Sequence, residues 1–163
     1  TGEMIETEVV YFRNNLSNLI TWANNKYFNQ GRFVAEGMEV SLKAKGKYFE
    51  LTPSYTHQEF HDEQTTVLRR PMNFSQVVLT IFPSQVTELS IKNRWFDSRK
   101  DYDEVGNVVS LSGYNVVDLG FRFVQEKYDL TAQILNVFNR DYENIYGYSV
   151  TPLSFFTGLG LRF

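Results

Sequence analysis

Alternation with period two constrains this sequence most. From Thr87 to Trp95 one parity reads Leu89, Ile91, Asn93, Trp95 and the other Glu88, Ser90, Lys92, Arg94. From Asn115 to Phe123 it reads Val117, Leu119, Phe121, Phe123 against Val116, Asp118, Gly120, Arg122. Phe49, Leu51, Pro53 and Tyr55 oppose Glu50, Thr52 and Ser54, and the final stretch sets Phe155, Thr157, Leu159, Leu161 and Phe163 against Ser154, Phe156, Gly158, Gly160 and Arg162. Successive side chains of a strand point to opposite faces, whereas no segment carries the i, i+3, i+4, i+7 stripe of an amphipathic helix. The chain reads as all-β.

Turn chemistry divides it into eight strands, about 5–20, 28–44, 47–59, 70–82, 86–98, 114–125, 128–139 and 152–163. Short connections fall at Lys45-Gly46-Lys47, Pro83-Ser84-Gln85 and Gln125-Glu126-Lys127. Long polar ones cover 23–27, 61–68, 98–113 and 140–151. Short turns at one rim and long loops at the other describe an up-and-down antiparallel sheet of the outer-membrane type. Two segments break the pattern. Parities mix between Asn73 and Phe82, which a bulge or a strand apolar on both faces would explain, and the phase slips at Asn136.

Which face is polar separates a soluble barrel from a membrane barrel. Glu39, Lys43, Glu88, Lys92, Arg94, Asp118, Arg122 and Arg162 share one face. Packing these ions into a small dry core costs several kcal/mol for each one left poorly paired. A wet lumen within an apolar outer band, crossed by about 9–11 residues per strand, removes that cost. The 2 Trp, 10 Tyr and 14 Phe fit the same picture. Tyr48, Phe49, Phe82, Phe123, Tyr128 and Phe163 lie near the short turns, and Trp22, Tyr27, Trp95, Tyr114, Tyr142 and Tyr148 near the long loops, where aromatic girdles sit. Rings at strand ends also occur in other β proteins.

Other classes are excluded. A net charge of -3 with scattered Lys and Arg offers nothing to neutralise a phosphate backbone, so nucleic acid is not an expected partner. No apolar run reaches the ~18 residues of a membrane-spanning helix. The absence of cysteine removes disulfides and thiolate chemistry and leaves the compartment open. The two histidines, His57 and His61, offer no triad, and no phosphate cradle occurs, so no catalytic residue or cofactor is expected. His57, Glu59, His61, Asp62 and Glu63 have the donors of a metal site, but a long polar loop holds such residues merely to stay solvated; no metal is expected. Asp97, Asp101, Asp103 and Glu104 lack the spacing of a calcium loop and read the same way.

A resemblance appears towards the C-terminus. Leu135-Asn136-Val137-Phe138-Asn139-Arg140-Asp141-Tyr142, then Tyr146-Gly147-Tyr148, then Ser154 to the terminal Phe163, resemble the end of TonB-dependent outer-membrane receptors. The tyrosine- and phenylalanine-rich run from Glu8 to Ile20, Gly37-Met38-Glu39 and Leu68-Arg69-Arg70-Pro71 are similar to upstream segments of that family, in the same order. Leu111 to Asp118 looks most like cobalamin and siderophore receptors, whereas Thr151-Pro152-Leu153 departs from the family's Pro-Gly-Arg before its last strand.

The resemblance implies that residues 1–163 are the C-terminal part, about eight strands, of a barrel of about 22 strands. The plug domain and signal peptide would lie outside them. It further implies a bacterial outer-membrane location in contact with lipid, and binding of a nutrient chelate, a siderophore-iron complex or cobalamin. Import would use energy from the TonB complex through the plug, and the barrel-assembly machinery would recognise a terminal strand containing Leu159, Leu161 and Phe163. Arg69, Arg70, Tyr102, Tyr142, Tyr146 and Tyr148, on the long loops, are the expected ligand-binding residues, the arginines for an anionic group and the tyrosines as rigid amphipathic surface. A complete eight-stranded outer-membrane barrel with a structural or adhesive role, and a soluble eight-stranded carrier, remain alternatives. Arginine at Leu119 or Leu159 should be far costlier than at Asp118 if the apolar face meets lipid.

Overall fold

A computed structural model describes residues 3–23, 26–62 and 67–163. Its strands are β1 (Met4–Ala23), β2 (Lys26–Lys45), β3 (Phe49–Asp62), β4 (Asn73–Ser84), β5 (Thr87–Phe96), β6 (Arg99–Tyr102), β7 (Val108–Leu111), β8 (Tyr114–Val124), β9 (Tyr128–Leu135), β10 (Glu143–Ile145), β11 (Tyr148–Ser149) and β12 (Ser154–Leu161). Eight of them form one antiparallel sheet in the order β1-β2-β3-β4-β5-β8-β9-β12. The eight expected strands are these eight. Two expected loops, 98–113 and 140–151, instead contain the small hairpins β6–β7 and β10–β11, too short to show a period in sequence.

The register puts the apolar parity of every strand on one side. Leu89 lies opposite Ile81 and Phe121, Leu119 opposite Ile91 and Ile134, and Phe155 opposite Ile134. This face has no protein cover: Leu159 is 64% exposed and Leu161 60%. Phe163 lies just past β12 and is also exposed. The opposite face pairs its charges across strands. Arg94 meets Asp118 at 2.7 Å, Lys43 meets Glu50 at 3.4 Å, Arg122 meets Glu88 at 3.6 Å and Arg162 meets Asp129 at 3.5 Å.

Strand β4 resolves its mixed parities without a bulge between Asn73 and Ile81, where pairing with β3 is continuous. Val77, Leu79 and Ile81 join the apolar face, while Phe74 and Val78 lie on the other. The phase slip at Asn136 is the end of β9. Asn136 adopts φ 51°, a left-handed conformation that asparagine tolerates. Its backbone N–H donates to Asp118 (2.9 Å), its side-chain amide donates to the Arg140 carbonyl, and its Oδ1 accepts from the Arg140 N–H. Asp118 therefore both pairs with Arg94 and anchors a loop, and it is no inert site for a substituted arginine.

Two sequence assignments change. Strand β3 continues past 59 to Asp62 because β2 extends to pair Phe33 with Asp62, so His61, expected in a loop, joins His57 and Glu59 as a strand residue on the same face. That face is apolar through Leu51 and Tyr55 and turns polar above them. Tyr114 is not a girdle residue. It is buried on the polar side, opposite Phe96, under the loops. The Trp22 side chain lies outside the described ones.

Glycine is required where strands and rings crowd. A Cβ at Gly37 would collide with the His57 carbonyl oxygen and lie 2.8 Å from the Phe12 ring. Among the described residues β1 pairs only with β2 and β12 only with β9, so the sheet is open.

Candidate ligand-binding rim

At the long-loop end, the 67–72 segment and the β6–β7 and β10–β11 hairpins meet above the polar face. Asp101, from β6, is their common anchor. Its side chain is fully buried, with Oδ1 accepting from Arg69 Nε (2.8 Å) and the Tyr102 N–H (2.9 Å), and Oδ2 from the Tyr146 N–H (2.9 Å). Burial alone would push this carboxyl up. The Tyr146 amide, the Arg69 guanidinium and the Tyr102 amide outweigh it and hold the group below its ordinary value. The Arg69 N–H also donates to the Lys100 carbonyl at 2.7 Å.

Arg99 makes a second junction. It is 5% exposed, donates to the Glu143 and Asn144 carbonyls and to Asn144 Oδ1, and lies 4.9 Å from the centre of the Tyr114 ring. Tyr114 stacks on Tyr142 with ring centres 4.0 Å apart and donates its hydroxyl to Asn144 Oδ1 at 2.7 Å.

A cavity of about 410 Å³ opens beside this stack, lined by Leu111, Tyr114, Arg140, Tyr142, Glu143 and Tyr146 among others. Aromatic faces mixed with a cation and carboxylates can hold a polar, partly planar ligand. The expected binding residues divide accordingly. Tyr142 and Tyr146 line the cavity; Tyr102 and Tyr148 are exposed on the hairpins and do not. Arg69 is tied to Asp101, and Arg70 lies against Phe33 and Phe60, 5.4 and 5.5 Å from the ring centres.

Sequence reasoning missed Asp101, Arg99 and Tyr114, since a buried loop ion looks in sequence like a solvated one. The acidic run is scattered. Asp97 accepts from Asn73 and the Ser98 N–H, while Asp103 fastens its own turn by accepting from Val105 and Asn107. His57 lies 3.5 Å from Glu59 and 2.7 Å from Asn73 Oδ1, and His61 lies 3.6 Å from Glu36, on the opposite face of the sheet from Phe33 and Phe60. The Asp62 side chain and Glu63 lie outside the described residues. Among the described residues no group of three or more His, Asp or Glu could hold a metal ion.

No family model matches the sequence. Solved structures do. The chain is similar to the ferric-catecholate import receptor Fiu of E. coli K12 (18% identity, TM-score 0.75), over 98% of this chain and 25% of that one. It is similar to the outer-membrane ferripyoverdine receptor of Pseudomonas aeruginosa (16%, 0.75), over 95% of this chain and 24% of that one. Likeness to the FrpB iron transporter of Neisseria meningitidis, F5-1 variant (13%, 0.79), covers 98% and 29%. The chain thus spans about a quarter of their length. At these identities the likeness is one of fold, and that fold is the barrel portion of TonB-dependent outer-membrane receptors.

Proposed function

We propose that residues 1–163 form the C-terminal part of the barrel of an outer-membrane receptor that imports a ferric chelate. The carrying observation is the sheet's division into an exposed apolar face and a face of paired charges, with interlocked loops at one rim. The apolar face meets lipid; the charged face lines the lumen. Open edges at β1 and β12 support a wall wider than eight strands rather than a closed small barrel. Energy from TonB would reach such a receptor through a plug domain. The apolar side of β12, carrying Leu159 and Leu161 with Phe163 beyond, is the surface that barrel-assembly machinery would recognise.

Because the similar proteins are named for ferric-catecholate, ferripyoverdine and iron, a ferric chelate is favoured over cobalamin. The test is uptake of radiolabelled ferric chelates and of cobalamin by cells producing the full-length protein, with and without a functional TonB. TonB-dependent accumulation of iron is expected. Uptake of cobalamin alone, or of neither, overturns this reading.

A further inference from the structure

Glu36 and Glu59 are direct partners across β2 and β3, on the face that is apolar lower down. Like charges so placed oppose the pairing of their strands. Pairing of β3 with β4 ends at His57 and Asn73, so among the described residues the strand end 59–62 pairs with β2 alone. On its other face Phe60 stacks on Phe33 with ring centres 6.1 Å apart, and Arg70 lies over both.

Three basic side chains reach the two carboxylates. Arg13 Nε is 3.4 Å from Glu36 Oε2, which also accepts from the Tyr11 hydroxyl at 3.3 Å. His61 Nε2 stands 3.6 Å from Glu36 Oε1 and 3.8 Å from Glu59 Oε2, and His57 Nε2 is 3.5 Å from Glu59 Oε1. The second nitrogen of His57 decides which form of that ring fits. Asn73 donates its amide N–H to Asp97 at 2.7 Å, and its oxygen, which accepts from the Tyr55 hydroxyl at 2.8 Å, faces His57 Nδ1 at 2.7 Å. Nδ1 therefore carries a proton. In the neutral ring Nε2 then turns a lone pair to the Glu59 carboxylate, acceptor against acceptor; in the imidazolium it turns an N–H, and both contacts are satisfied. Met38, opposite His57 on β2, adds no charge.

We propose that His57, set between Asn73 and Glu59, is a proton-operated clasp for the end of β3. Protonated, it offsets the charge of Glu59 against Glu36 and fastens residues 59–62 to β2. Neutral, it leaves the two carboxylates opposed, and the strand end that carries Phe60 beneath Arg70 opens more often. The stabilisation belongs to the protonated ring, so it is present at acid pH and is lost as pH rises through the histidine range. It stands on the sheet alone, whatever the receptor carries.

Hydrogen exchange of the full-length protein in detergent micelles, corrected for the intrinsic pH dependence of exchange, tests this. Between about pH 5.5 and about pH 8 residues 59–62 should lose protection by roughly 2- to 5-fold, the weight of an exposed ion pair, while the amides of β8, β9, Tyr102 and Tyr146 keep theirs. His57→Gln should remove most of that step and hold the segment at its high-pH level. Glu59→Gln should also flatten the step but raise protection at high pH, because it removes the opposed charge and gives the neutral ring a donor. A merely structural contact would lose protection in both variants, and that result would overturn the proposal. So would a wild-type segment indifferent to pH, or a step of undiminished size in His57→Gln.

Discussion

The wall and the rim bury opposite kinds of residue. In the wall, leucine, isoleucine and phenylalanine remain exposed on one whole face, so that face depends on a surrounding apolar medium. At the rim, Asp101 and Arg99 are the buried groups, satisfied by amides and carbonyls of other loops. A sheet one residue thick cannot enclose its own apolar side chains. Loops folded over one another can enclose ions, provided every donor and acceptor is matched. The wall is thus held by strand pairing, the rim by a polar network.

Substitutions in the wall should show the larger effects. Leu119→Arg and Leu159→Arg are expected to cost about 2–4 kcal/mol in a folding titration of the full-length protein in lipid, whereas Gln133→Arg, exposed on the polar face opposite Gly120, should cost under about 1 kcal/mol. Equal costs on the two faces would erase the distinction between them. Asp118→Arg is a poor control, because it sets two arginines together and frees Asn136.

Next comes the rim. Asp101→Ala should cost the loops about 1.5–3 kcal/mol, read as hydrogen exchange roughly 10- to 100-fold faster at the Tyr102 and Tyr146 amides with β5 and β8 amides unaffected. Faster exchange in β5 and β8 would mean that rim and wall open together.

Gly37→Ala probes the wall by crowding. The added methyl would meet the His57 carbonyl and the Phe12 ring, and a loss of about 1–3 kcal/mol in thermal or denaturant unfolding is expected. An unchanged midpoint would mean that β2 and β3 separate there at no cost.

The smallest effect is acid sensitivity of the rim. Asp101 is held below its ordinary value of 3.8, so its contribution is complete above that value and is lost as pH falls through its lower folded value. Loop amide exchange should stay flat from neutral pH to the ordinary carboxylate range, then accelerate below it beyond the intrinsic pH dependence of exchange. Asp101→Asn should abolish this acid step. Persistence of the step in that variant would assign it to another group.

Sequence reading succeeded where one rule governs each residue. Strand direction makes parity decide the face, so Leu119 and Asp118 could be assigned to opposite sides without coordinates, and the eight strands followed. It fell short where a residue's partner lies far along the chain. Asp101 and Tyr146 are 45 residues apart, and their contact depends on how two hairpins fold over the sheet. Similarly, His61 and Asp62 looked like loop residues because only the pairing of Phe33 with Asp62 extends β3 that far.

By itself, then, the sequence determined the eight strands of the main sheet and its two unlike faces, since both follow from local alternation. The tertiary structure alone decided that Asp101 is buried, that Tyr114 leaves the girdle to stack on Tyr142, and that Arg69 pairs with Asp101 while Arg70 lies over Phe33 and Phe60. Whether a charge is buried or matched depends on the position of chain segments distant in sequence, and no local pattern encodes that position.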